Sequence, residues 1–191
     1  MNVGYELLFG LVLGFSLTIP PGPMNAFIAS QAVRSLRRGI LTGFGAMSAD
    51  AFLALVVYAL SELVDLHEYV RVIYLVGAVV MAYFGLRLLL ARQRPSEQEF
   101  GDARIYTTAL GLGVSNPFQI LWWLTAGLAF AYFGGAVIFL GLFGAIAIWI
   151  VVFPWALRRG VERFPAFERW VTYVSAGILL VFAAYFAILS A

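Results

Sequence analysis

Six long apolar runs, separated by short polar segments, make up nearly all of this 191-residue chain. Each run is close to or above the roughly 20 apolar residues that a helix needs to cross a bilayer core about 30 Å thick. Leu, Ala, Val and Ile dominate the runs without the alternation that is typical of strands, so helices are predicted. The runs occupy residues 4–31, 40–60, 69–90, 105–130, 135–157 and 167–189.

The composition excludes the common soluble classes. Of all residues, 63% are hydrophobic and 12% are charged, whereas a soluble domain is about 45–50% apolar and about 25% charged. A chain of this size cannot bury so much apolar surface in a core of its own. A soluble enzyme, a disordered protein and a nucleic-acid-binding protein are therefore excluded. The sequence predicts an all-α membrane protein with six transmembrane helices in a single domain, residues 1–191.

The positive charges indicate how the chain is oriented. All 12 basic residues are Arg, and 11 of them, all but Arg71, follow the first, third or fifth run or lie at its end. Because short cytoplasmic loops are enriched in Lys and Arg, these three loops are predicted to be cytoplasmic and both termini extracytoplasmic. The 11 are Arg34, Arg37, Arg38, Arg87, Arg92, Arg94, Arg104, Arg158, Arg159, Arg163 and Arg169.

A polar segment at residues 91–102 divides the chain into two parts of three runs each. Since three is an odd number, two homologous parts would lie in the membrane with opposite orientations, as in transporters built from inverted repeats. We therefore predict repeats at about residues 1–91 and 103–191. The alternative is that the segment is a plain linker.

Two of the predicted helices are interrupted near the middle of the membrane. In the first run, Pro20, Pro21, Gly22 and Pro23 cannot continue a helix, because each proline removes a backbone donor and its ring clashes with the preceding turn. In the fourth run, Asn116 followed by Pro117 is a helix-start signal. The sequence predicts that helices 1 and 4 are both broken.

The two breaks form the first part of a candidate binding site. A single break is explained by a proline kink, which membrane helices tolerate, but two breaks at corresponding places in two repeats are typical of a transporter site. Each half-helix that follows a break presents free N–H groups, which attract anions such as carboxylates. The candidate residues at the breaks are Pro21, Gly22, Pro23 and Asn25 in the first run and Asn116, Pro117 and Phe118 in the fourth.

Asp50 is the one acidic residue deep inside any of the runs. It follows Gly39 by about 11 residues, or about 16 Å of helix. A central Asp costs about 2.5–3.5 kcal/mol on insertion scales. One interpretation is a protonated carboxyl that hydrogen-bonds a neighbouring helix. The functional interpretation is a proton carrier or a counter-charge for a substrate ammonium group.

Four further side chains join the candidate site. Gln31 and Gln119 are predicted to hydrogen-bond the substrate, although such residues often serve helix–helix contacts. Trp122 and Trp123 follow the second break by one to two turns and would stack on a substrate, wall the cavity or simply pack. With no Cys and one His, the chain has no ligand set for a thiolate or histidine metal cluster, so neither a metal nor a cofactor is predicted.

These residues resemble the lysine exporter (LysE) family. The similarity lies in the Pro-Gly-Pro-x-Asn stretch with Gln31 and Arg34, in Asp50, and in the Asn116-Pro117 pair. Met24 departs from the Gln that the lysine and arginine branch carries at this place. The resemblance implies amino-acid efflux across a prokaryotic inner membrane, in exchange for protons or driven by the membrane potential.

The sequence thus predicts a secondary transporter that exports amino acids or related small zwitterions and is coupled to protons. Its predicted partners are the substrate, protons and the lipid bilayer, and a homo-oligomer is compatible with this architecture. An exporter of a cation or another small metabolite is the alternative. An integral-membrane enzyme is disfavoured because no nucleophile–base pair or metal cluster is evident. A scaffold protein would leave the breaks and Asp50 unexplained.

Overall fold

The computed structural model describes residues 3–20, 22–60, 70–91, 101–124, 136–164 and 166–190. All regular secondary structure in these residues is helical, which confirms the predicted all-α class. Residues 92–100 of the polar segment that divides the two predicted repeats, the end of the fourth run and Pro21 lie outside the described residues. The helices are α1 (Val3–Thr18), α2 (Pro23–Ala32), α3 (Leu36–Leu60), α4 (Val70–Ala91), α5 (Asp102–Val114), α6 (Pro117–Trp122), α7 (Ala136–Arg163) and α8 (Ala166–Ser190).

Three of the described helices are long and apolar enough to cross a membrane, and α1 with α2 provides a fourth crossing if the bent pair counts as one span. The three segments are Leu36–Ala59, Ala136–Arg163 and Arg169–Ser190. In α4 the apolar stretch is shorter, Tyr74–Leu86. The chain is therefore a multi-pass membrane protein, and the full number of six spans stays a prediction.

Both predicted breaks are present. Helix α1 ends at Thr18 and α2 begins at Pro23, with an angle of 80° between the two helices. Helix α5 ends at Val114, and α6 begins at Pro117 directly after the N-cap residue Asn116. Proline stands at the first position of each half-helix, where its missing N–H costs no hydrogen bond.

Two parallel helix pairs pack through small residues. In the first pair, a Cβ atom on Gly10 or Gly14 of α1 would collide with backbone of Ile138, Gly141 or Leu142 in α7. In the second pair, a Cβ atom on Gly45 of α3 would collide with Ala109 of α5, and a Cβ atom on Gly113 of α5 would collide with Ala49 of α3. In both pairs, residues further along one helix contact residues further along the other, so the two helices are parallel. Small residues allow such close backbone approach, which stabilises helix association in lipid.

A third pair, α4 with α8, is antiparallel. Gly85 lies against Leu180, while Tyr74, near the start of α4, contacts Phe186 with ring centroids 5.7 Å apart. Helix α2 packs against both α3 and α8. The far end of α2 is held by α7, because Arg158 donates to the carbonyl of Val33 at 2.9 Å. A cation at a helix C-terminus is favourable because the last carbonyls carry partial negative charge.

Candidate functional site

Asp50 lies in the middle of α3 with 4% of its surface exposed. Its Oδ1 atom accepts two hydrogen bonds, from Gln119 Nε2 at 3.0 Å and from Trp123 Nε1 at 3.0 Å. The two donors are four residues apart, so they lie on the same face of the half-helix that begins at Pro117. The second break therefore presents a pair of donors to the one deeply placed carboxylate.

The Asp50 contact continues to the start of α6. Gln119 Oε1 accepts from Asn116 Nδ2 at 3.1 Å, and Asn116 Oδ1 accepts from the backbone N–H of Phe118 at 3.1 Å. Asn116 and Gln119 are 1% and 5% exposed. These hydrogen bonds run from the Phe118 N–H through Asn116 and Gln119 to Asp50. They fix the orientation of both amide groups. Because the network is buried away from water, the low local dielectric strengthens each bond.

The second oxygen of Asp50 is different from the first. Within the described residues, Oδ2 accepts no hydrogen bond. The ion pairs that the structure shows in this part of the chain join Arg37 with Asp102 and Arg158 with Glu162, so Asp50 is in neither of them. A buried carboxylate oxygen without a donor is costly. Asp50 is thus oriented by protein donors on one side while its other oxygen is left to accept a proton or a cationic group.

The start of α2 is built differently from the start of α6. Gly22 occupies the N-cap position in an extended conformation (φ −160°, ψ 178°), and no side chain caps the helix. A Cβ atom on Gly22 would meet only Pro20 O, at 4.0 Å. The first helical backbone bond runs from Ala26 N to Gly22 O. Because Pro23 has no N–H, the backbone N–H groups of Met24 and Asn25 are the ones left without a capping side chain in the first turn of α2.

Asn25 ties the first break to another helix. Its Nδ2 atom donates to the carbonyls of Thr18 and Pro20, and its Oδ1 atom accepts from Trp149 Nε1 of α7 at 3.0 Å. Trp149 is not among the candidate residues that the sequence predicted. Trp149 follows Gly141 and Ala145 at intervals of four and so lies on the face of α7 that packs on the broken helix, but the sequence alone does not show which helix that face contacts.

The two breaks have matching contacts. Asn25 is the third residue of α2, and Gln119 is the third residue of α6. Each of these amides bonds a side chain on the helix against which its own broken span packs, α7 for Asn25 and α3 for Gln119. The small residues Gly45 and Ala49 of α3 also have counterparts 96 positions later, in Gly141 and Ala145 of α7.

The remaining candidate residues have other surroundings. Gln31 lies at the far end of α2, where its Nε2 atom contacts Ser30 Oγ at 3.4 Å. Trp122 packs edge-on against Trp123 with ring centroids 5.1 Å apart. Pro23 is buried at the start of α2, and Pro117 fills the space beside Gly77 of α4. The structure thus unites Asp50 with Asn116, Gln119 and Trp123, and it does not bring Gln31 to this cluster.

The described residues contain no group of three or more His, Cys, Asp or Glu side chains that could hold a metal ion. The chemistry available at Asp50 is consequently that of one carboxylate, two amides and an indole N–H. Such a set can bind an ammonium group or a proton and can hold it in a defined direction. It offers no nucleophile with an adjacent base.

We expect the substitution Trp123→Phe to destabilise the folded protein by about 0.6–2 kcal/mol, because it removes one of the two donors to the buried Asp50 carboxylate. Unfolding in mixed micelles with increasing SDS measures this change. Trp170→Phe is the matched control, since Trp170 is 71% exposed. Equal effects of the two substitutions would contradict a stabilising role for the indole N–H.

A model of the family "LysE type translocator" matches residues 15–190. The chain is 28% identical over 195 residues to the protein named "Putative amino acid efflux protein YcgF" of Bacillus subtilis (strain 168), and the match covers 92% of both chains. No solved structure matches the chain significantly.

Proposed function

The chain belongs to the LysE type translocator family, and from this premise we propose that it exports amino acids from the cytoplasm across a prokaryotic inner membrane in exchange for protons. Members of this family are transporters, so the chain is a membrane transporter and not an enzyme. The related Bacillus subtilis protein is named for amino acid efflux, which supports the proposed class of substrate.

In this proposal, the substrate carboxylate binds at the uncapped start of α2. The N–H groups of its first turn and the positive end of the helix dipole favour an anion there. Open space beside Gly22 supports this placement, because a ligand atom can approach the backbone closely. The start of α6 is already capped by Asn116, so we assign Asn116, Pro117 and Gln119 to orienting the part of the site around Asp50.

The hydrogen bonding of Asp50 is the main observation that supports the proposal. Its Oδ1 atom is held by Gln119 and Trp123, while Oδ2 has no partner in the described part of the chain. We assign Oδ2 to the substrate ammonium group in one stage of the cycle and to a proton in another. A single buried carboxylate that alternates between these two ligands would couple substrate export to proton entry, since both cannot occupy it at once.

The proposed transport cycle uses the two parallel helix pairs. The pair α1 with α7 and the pair α3 with α5 have corresponding small-residue contacts, and Asn25 and Gln119 make corresponding contacts at the breaks. These correspondences support two inverted repeats, at about residues 1–91 and 103–191. Rocking of one repeat against the other around the breaks would open the site alternately to each side of the membrane. Because the Arg-rich loops are predicted to be cytoplasmic, both termini would be extracytoplasmic.

The test is transport by purified protein in proteoliposomes with an imposed pH gradient and a panel of labelled amino acids. We expect saturable uptake that disappears when the gradient is dissipated. Thermal stabilisation of the purified protein is measured in parallel with amino acids and with divalent cations, because a specific ligand raises the apparent stability by mass action. Stabilisation by cations together with an absence of amino-acid transport would reject the proposal and favour a cation exporter.

We expect Gly22→Ala to reduce transport about tenfold or more while the protein remains folded. A Cβ atom on Gly22 meets no backbone clash and the extended conformation accepts any residue, but the methyl group would fill the space through which the substrate carboxylate is proposed to approach α2. Gly111→Ala is the control, since nothing lies within 4 Å of its Cβ position. Unimpaired transport by Gly22→Ala and by the bulkier Gly22→Val would exclude substrate from this helix end.

A further inference from the structure

We infer that the amino acid carried by this site has an apolar side chain. The inference rests on the proposed function, because it assigns the substrate class of the same site. Three features of the described residues support the inference. One acidic side chain is buried near the breaks, the amide side chains at the breaks already form hydrogen bonds within the protein, and the residues that connect the two breaks are apolar.

The first feature is the number of carboxylates. Of the acidic side chains that the structure describes, Asp50 is buried, whereas Glu6 is partly exposed and Asp102 and Glu162 are exposed. A zwitterionic amino acid brings one ammonium group, which Asp50 matches. Lysine or arginine would bring a second cation, and a buried cation without a counter-charge is strongly unfavourable.

The second feature is that the amide oxygens at the breaks are already in use. Asn25 Oδ1 accepts from Trp149, Gln119 Oε1 accepts from Asn116, and Asn116 Oδ1 accepts from the Phe118 N–H. Asn25 also uses its Nδ2 group on the carbonyls of Thr18 and Pro20. All three amide groups are thus held at both their oxygen and their nitrogen. Each oxygen keeps a second lone pair, but a polar substrate side chain would find no amide at the breaks that is free to turn towards it.

The third feature is an apolar cluster that connects the Asp50 region with the first break. Leu53 lies one turn after Asp50, Leu17 is next to the end of α1, and Ile146 and Ile150 flank Trp149 on α7. All four pack in one cluster together with Trp123. A substrate held by its carboxylate at α2 and by its ammonium at Asp50 would present its side chain to this cluster, where apolar groups are favoured.

The experiment compares amino acids of nearly equal shape in the proteoliposome assay. Valine and threonine differ by a methyl against a hydroxyl, leucine and asparagine by an isopropyl against an amide, and norleucine and lysine by a terminal ammonium group. We expect the apolar member of each pair to be transported faster, by about tenfold or more for valine over threonine and about 100-fold or more for norleucine over lysine.

Each result has a distinct meaning. Faster transport of all three apolar members supports the inference. Transport of lysine, asparagine or threonine at the rate of its apolar counterpart or above overturns the inference and leaves the proposed export of amino acids intact. If folded protein moves none of the six compounds under the pH gradient, the proposed function is itself rejected, and the inference falls with it.

A substitution in the cluster gives a second measurement. Leu53→Ala is expected to shift the preference towards larger apolar substrates, raising the rate of phenylalanine relative to valine by about tenfold. Leu55→Ala is the control, because Leu55 is on the same helix and 67% exposed. Where Leu53→Ala fails to fold, Ile146→Val removes a single methyl group from the same cluster. An unchanged ratio in a folded cluster variant places the substrate side chain elsewhere and overturns the inference.

Discussion

Asp50→Asn is expected to abolish gradient-driven transport, reducing the rate to that of liposomes without protein. Asparagine is nearly isosteric, and its side-chain oxygen can still accept from Gln119 and Trp123, so the local geometry is preserved. What disappears is the negative charge and the ability to bind and release a proton. The fold should tolerate the change, since replacing an unpaired charge inside a membrane by a neutral group removes an energetic cost. Uptake under an imposed pH gradient measures the effect.

Two further measurements make this result specific. Asp102→Asn is the control, because Asp102 is an exposed acid whose ion pair with Arg37 lies at the surface and surface pairs contribute little. Exchange of labelled for unlabelled amino acid, which needs no net proton movement, separates the two roles of Asp50. Exchange that survives in Asp50→Asn would limit Asp50 to the proton and contradict its contact with the ammonium group, whereas loss of exchange, the expected result, supports that contact. Gradient dependence that is unchanged would remove Asp50 from the mechanism.

The breaks were predictable because their chemistry is local. Pro20, Gly22 and Pro23 prevent a continuous helix whatever surrounds them, and Asn116 before Pro117 is a capping signal that the structure realises in a hydrogen bond to the Phe118 N–H. The unusual depth of Asp50 was also evident from counting residues along the run. The all-α class followed from the length and hydropathy of the runs.

The partners of these residues were not predictable in the same way. Trp123 contacts Asp50, 73 positions away in sequence, and Trp149 contacts Asn25, 124 positions away. The residues next to either indole in the sequence do not indicate which carboxylate or amide it contacts. Hydropathy specifies that a helix lies in lipid, but lipid and a neighbouring helix are about equally apolar. For the same reason, the pairing of α1 with α7 and of α3 with α5 could not be derived from the runs alone.

Gly141→Ala is expected to destabilise the protein by about 1–3 kcal/mol and to separate α1 from α7. A Cβ atom on Gly141 would meet the backbone of Leu7, Gly10 and Leu11, and backbone atoms cannot move aside as a flexible side chain can. Since helices in lipid are held together by packing and not by the hydrophobic effect, a lost close contact is not compensated elsewhere. Unfolding by SDS in mixed micelles measures the change.

The same helix provides the control. Gly144 lies one turn further along α7 with nothing within 4 Å of its Cβ position, so Gly144→Ala should stabilise by up to about 1 kcal/mol through helix propensity. If the two pairs correspond, Gly45→Ala should destabilise the protein in the same way as Gly141→Ala, because its Cβ atom would meet Tyr106 and Ala109 of α5. Stabilisation by Gly141→Ala would show that α1 does not lie against this face of α7. If Gly141→Ala destabilises the protein and Gly45→Ala leaves its stability unchanged, the two helix pairs are not equivalent. Helix packing would then no longer support the inverted repeat.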